Sequence, residues 1–120
     1  MFRSLLLGLT LICPPVAHAQ LATTDGTGAV VRALDKLTGQ VTDVDIRDAQ
    51  SKTVGRITVT VHECRYPDGN AAGEAYASLT ITDRGVEGPV FQGWMIASSP
   101  ALNPMDHPRY DVWVLRCTTS

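Results

Sequence analysis

Clustered basic residues, long apolar runs, Cys-x-x-Cys pairs and sustained helical periodicity are all missing from this 120-residue chain. Each gap removes a class of function. The ten lysines and arginines are scattered singly from Arg3 to Arg116, and the net charge is −2. That balance suits neither a phosphate backbone nor an anionic lipid surface, so nucleic acid is not expected as a partner. The longest apolar run, Leu5–Ile12, is too short to cross a bilayer. Without a Cys-x-x-Cys pair the chain has no thiol motif of the common redox or zinc kind. No helical period is long enough to predict a helix, which points to a β protein.

What the amino terminus does contain is an export signal. Arg3 supplies a positive start, Leu5–Ile12 the apolar core, and Ala17-His18-Ala19 a small-x-small cleavage site ahead of Gln20. Cleavage between Ala19 and Gln20 would leave a periplasmic or secreted protein with no transmembrane segment. Cys13 lies inside the leader, but Ile12 before it is not the small residue that lipid attachment requires. The mature part would then hold two cysteines, Cys64 and Cys117. In an oxidising compartment their expected state is one disulfide. The alternative, a redox or metal pair, lacks further ligands at sensible spacing.

The remaining sequence divides into a small polar stretch, residues 20–28, expected to be a flexible leader, and a single β domain over 29–117. Candidate strands occupy Ala29–Lys36, Gln40–Arg47, Arg56–Arg65, Ala75–Asp83, Val90–Ala97 and Tyr110–Cys117. The clearest is Gln40–Arg47, where Thr42, Val44 and Ile46 alternate with Asp43, Asp45 and Arg47. Asp48–Gly55 and Tyr66–Glu74 read as turns. Val90–Ala97, apolar on both faces, predicts a central strand, and Tyr110–Cys117 predicts a doubly covered one with Trp113 inside. Strict alternation puts Cys64 on the face opposite Val59 and Val61. Either a bulge near His62-Glu63 realigns it, or both faces of the strand are covered. The expected fold is a small antiparallel β-sandwich or barrel of six or more short strands with one disulfide.

Groups that could carry chemistry do not converge in the sequence. Ser98 and Ser99 precede Pro100, with His107, Asp106 and Asp111 nearby, but no Gly-x-Ser-x-Gly elbow is present. Turn formation at Pro100 is the simpler role for these serines. His62 and Glu63 are adjacent on a strand and so point to opposite faces unless a bulge intervenes. Asp35, Asp43, Asp45 and Asp48 lack the spacing of a calcium loop. No catalytic residue, metal ligand or cofactor is therefore expected. Phe91 and Trp113 are expected in the core, whereas Trp94 beside Gly93 is a candidate for facing a partner.

Two blocks are distinctive: Gly93-Trp94-Met95-Ile96-Ala97-Ser98-Ser99-Pro100-Ala101-Leu102 and Tyr110-Asp111-Val112-Trp113-Val114-Leu115-Arg116-Cys117. With Asp35-Lys36-Leu37-Thr38-Gly39, Gly55–Val61 and Cys64-Arg65, they resemble domain of unknown function 2155, an uncharacterised exported alphaproteobacterial family. The resemblance covers residues 29–117. It implies an exported domain with two paired cysteines, and it carries no assigned activity.

The functional expectation is a non-catalytic module that binds another exported or envelope protein. Its candidate contact residues are Trp94, Ser98, Ser99, Pro100 and His107, because the proline-rich Ser98–Arg109 segment is an excursion on a rigid frame. One alternative is an inhibitor or small-ligand binder, such as a cell-wall hydrolase inhibitor. A second is a small cell-envelope hydrolase.

Overall fold

In a computed structural model, which describes Gly8 and residues 22–120, the chain folds into two antiparallel β-sheets. Apart from Gly8, the expected export signal lies outside the described residues, as does its expected Ala19-Gln20 cleavage site. Eight strands follow in order: β1 (Thr23–Asp25), β2 (Gly28–Asp35), β3 (Val41–Arg47), β4 (Gln50–Val54), β5 (Ile57–Pro67), β6 (Tyr76–Asp83), β7 (Pro89–Ile96) and β8 (Tyr110–Thr118). One sheet runs β1-β5-β6-β7, with β4 sharing the outer edge of β5, and the other runs β3-β2-β8. A 3-10 turn, Pro100–Leu102, interrupts the connection from β7 to β8. This is the expected antiparallel all-β architecture, in its sandwich form.

Period-2 alternation explains most of the core. Ile57, Val59 and Val61 on β5 face Val31 on β2 and Val112 and Val114 on β8, all fully or almost fully buried. The cysteines break that parity. Cys64 comes three residues after Val61, and Cys117 three residues after Val114, so strict alternation would turn both outward. A register shift at His62 in β5 and another at Leu115 in β8 each insert one unpaired residue. Both sulfurs thereby reach the interior and form the Cys64–Cys117 disulfide, joining a central strand of one sheet to an edge strand of the other. The bulge, not double coverage, resolves the position of Cys64.

Beside that link the chain twice crosses between sheets. At the first crossing Gly26 N–H donates to the Cys64 carbonyl (2.7 Å) and Thr27 N–H to that of Thr118 (2.8 Å). A Cβ on Gly26 would lie 2.7 Å from the Thr118 oxygen, so only glycine fits without a backbone shift. At the second, Asp48 N–H donates to Thr27 (3.0 Å) and Ala49 N–H to Val61 (2.8 Å). This corner carries a cost. Asp48 Oδ1 is buried without a hydrogen-bond partner among the described residues, and burial, then the charges of Asp25 and Glu63, push its carboxyl up.

Four expectations need correction. Residues 20–28 are not simply a flexible leader, because Thr23–Asp25 pairs with Arg65–Pro67 and Gly28 already begins β2. Asp48–Gly55 contains β4, whose polar residues show no alternation because this outer strand is wet on both faces. Its hydroxyls instead pair across to β5, Ser51 with Thr60 (2.6 Å) and Thr53 with Thr58 (3.0 Å). β7 lies at a sheet edge rather than the centre. Trp113 is half-buried on the outer face opposite Arg32, since Tyr110, Val112 and Val114 take the inward positions of β8. Phe91 does lie in the core.

Closing a loop of 53 residues, the disulfide restricts the unfolded chain strongly. Cys64→Ser or Cys117→Ser is expected to lower stability by about 2–5 kcal/mol, measured by guanidinium unfolding without reductant.

Candidate functional site

The segment from Ala97 to Arg109 runs from the end of β7 back to the start of β8, along the seam between the two sheet edges. Three prolines and little regular structure would ordinarily leave such a stretch mobile. Here side chains fasten it along its length. Ser98 donates through its N–H to Glu74 Oε1 (2.9 Å) and through its hydroxyl to Glu74 Oε2. Burial alone would raise the Glu74 carboxyl; the hydrogen bonds from Ser98 and from the Ala75 N–H outweigh it and hold the group below its ordinary value. Asn103 Nδ2 donates to the Trp94 carbonyl (2.9 Å), capping an unpaired group of the β7 edge. A Cβ at Gly93 would come within 3.1 Å of that Asn103 amide, and the glycine also holds a φ of +154°. Met105 is buried beneath the segment.

His107 anchors the far end. Its Nδ1 accepts the N–H groups of Arg109 and Tyr110 (both 3.0 Å), which leaves the proton on Nε2 to be donated to Asp83 Oδ2 (2.8 Å). The Gly85 N–H, then His107, hold the Asp83 carboxyl below its ordinary value. Lys36 Nζ donates to the His107 carbonyl (2.6 Å). Arg109 closes the series with a two-pronged pair to Asp35, Nε to Oδ1 (3.2 Å) and Nη2 to Oδ2 (2.9 Å). That guanidinium lowers the Asp35 carboxyl to about 2, against the opposing effect of burial and with help from the N–H groups of Leu37 and Thr38.

The sequence-predicted contact residues therefore separate. Trp94 is 43% exposed on the outer face of β7, and Pro100 is exposed at the 3-10 turn. Ser98 is committed to Glu74, and Ser99 sits half-buried as the residue leading into the turn. His107 is 8% exposed and fixes the segment from below instead of presenting itself on it. Its three hydrogen bonds are to Asp83 and the backbone, none to Ser98. His62 and Glu63 likewise go separate ways, to Thr80 Oγ1 (2.7 Å) and to Arg65 Nε (3.0 Å). Leu102, 74% exposed at the tip of the turn, is the residue sequence reasoning missed. A single leucine among prolines carries no periodic signal.

A second feature is a cleft of about 480 Å³ at the end of the sandwich away from the disulfide. It opens between the β2–β3 hairpin and β4, and Arg109 and Tyr110 form part of its lining. The phenol oxygen of Tyr110 accepts the Arg56 N–H there (3.1 Å).

The chain belongs to the bacterial family described as "Uncharacterized protein conserved in bacteria (DUF2155)", whose sequence pattern matches residues 29–117. It is also similar to "Uncharacterized protein RP359" of Rickettsia prowazekii (strain Madrid E), with 30% identity over 94 residues. That alignment covers 76% of this chain and 61% of the relative, so the chain spans less than two thirds of the relative's length. No solved structure matches the chain.

Two outcomes follow from the anchors. His107→Phe strands two backbone N–H groups and one Asp83 oxygen in a buried setting, and is expected to cost about 2–4 kcal/mol in urea unfolding. Asp35 titrates near 3.8 when free and near 2 in the fold, so its contribution to stability is complete above pH 4 and lost as pH falls toward 2. Asp35→Asn is expected to flatten that part of the stability–pH curve, followed by thermal unfolding between pH 5 and 2.

Proposed function

We propose that this chain is a non-catalytic binding module of the cell envelope, which acts after export and engages another exported or envelope protein. The observation that carries the reading is an apolar tip held on an immobilised segment. Leu102 and Trp94 are both exposed, yet the chain between Ile96 and Tyr110 is fixed by Glu74, Asn103, His107 and Arg109. A surface already ordered before contact loses little conformational freedom on binding, and tryptophan is enriched among the residues that carry binding energy. The amino-terminal leader and the buried disulfide support an oxidising, exported setting.

The test is site-specific photo-crosslinking in the periplasm of the native host. A probe at Leu102 is expected to give a discrete protein adduct that Trp94→Ala removes, while a probe at Val41, 53% exposed on the other sheet, gives none. An adduct insensitive to Trp94→Ala, or equal yields from both probes, would reject this surface as the contact site.

A further inference from the structure

We propose that the cleft between the β2–β3 hairpin and β4 is a binding site for a small uncharged polyol of monosaccharide size. It stands apart from the Trp94–Leu102 surface and does not rest on it.

The cleft exists because the sandwich is filled unevenly. Inward-facing cross-strand pairs of β2 and β3 run Ala29–Ile46, Val31–Val44 and Ala33–Thr42. At the disulfide end a large side chain closes the space between layers about 10 Å apart. At the other end alanine and threonine cannot, and about 480 Å³ stays open, within the roughly 300–1,000 Å³ of small-molecule sites.

Its lining has unspent donors. Tyr110 is only 2% exposed, and its hydroxyl accepts the Arg56 N–H, but the phenolic proton has no acceptor among the described residues. Arg109 uses Nε and Nη2 on Asp35, leaving its other N–H groups uncommitted in the described hydrogen bonds. Asp35 in turn already receives N–H groups from Leu37, Thr38 and Arg109, so it does not call for a cation. These two are the only charged residues of the lining, and they cancel. An ion entering here would lose water without meeting an uncompensated opposite charge.

What remains is chemistry suited to a sugar ring. Gln40 and Thr42 offer neutral groups that both donate and accept, matching ring hydroxyls, beside the Thr53 hydroxyl already paired with Thr58. Val44 and Val54 supply an apolar wall for its C–H face.

The experiment is a titration of ¹⁵N-labelled protein, expressed from the full-length chain, with D-glucose, N-acetyl-D-glucosamine, glycerol and sodium acetate. At least one neutral probe is expected to give saturable amide shifts at Gly55, Arg56, Arg109 and Tyr110, with a Kd in the millimolar range. Thr42→Leu, which fills the cleft, is expected to abolish them. Tyr110→Phe is expected to weaken binding about 5- to 10-fold, the loss of one hydrogen bond. Retained spectral dispersion in each variant separates lost binding from lost fold. Absence of saturable shifts with every neutral probe, tighter binding of acetate than of any of them, or unchanged affinity in folded Thr42→Leu would overturn the proposal.

Discussion

The cross-link between β5 and β8 is the constraint around which the rest of the chain is arranged. Both cysteines sit at odd offsets from the core residues before them, and both reach the interior only because each strand carries one extra residue. The bulges then dictate what lies nearby. His62, expelled from the ladder, turns outward to Thr80. Gly26 packs against the bridge so closely that no side chain fits, and the two inter-sheet crossings donate their N–H groups to β5, β8 and each other. A domain of this size buries a modest core, so a covalent tie between its layers does work that a larger interior would do by packing.

The opposite end is held by different physics. There the segment leading into β8 is fastened to both sheets by polar anchors, His107 to Asp83 of β6, Arg109 to Asp35 of β2, and Lys36 on the His107 carbonyl. Such contacts are directional and tolerate open space between them, whereas apolar packing would close it. Hence the same region can carry both a rigid surface segment and an unfilled cleft. The covalent tie lies at one end, and the features suited to recognition lie at the end that carries the polar anchors.

Legibility in the sequence followed the contrast between the two faces of each strand. β3, β5 and β6 have one wet and one dry face, so their alternation exposes them directly. β4 has two wet faces, and its sequence reads as a turn. β7 and β8 carry apolar residues on both faces, which suggested central, doubly covered strands; both are edges, with Trp94 and Trp113 on outer faces. Apolar content alone does not distinguish a covered face from one awaiting a partner. Trp94 is identifiable from its neighbouring glycine, but Leu102 is not, and the sequence offers His107 as a contact residue. Its burial depends on Asp83, 24 residues away, a pairing no local pattern encodes.

By itself the sequence determined the all-β class, the pairing of Cys64 with Cys117 and membership of the family over residues 29–117. These rest on period-2 patterning, composition and local motifs, which are properties of neighbouring residues. Only the tertiary structure decided the sandwich form, the edge positions of β7 and β8, the fastening of the Ala97–Arg109 segment and the existence of the cleft. Each depends on which distant strands pair and how large the side chains are that meet across the layers. Those outcomes are settled by packing and hydrogen-bond satisfaction over the whole chain, and adjacent residues do not record them.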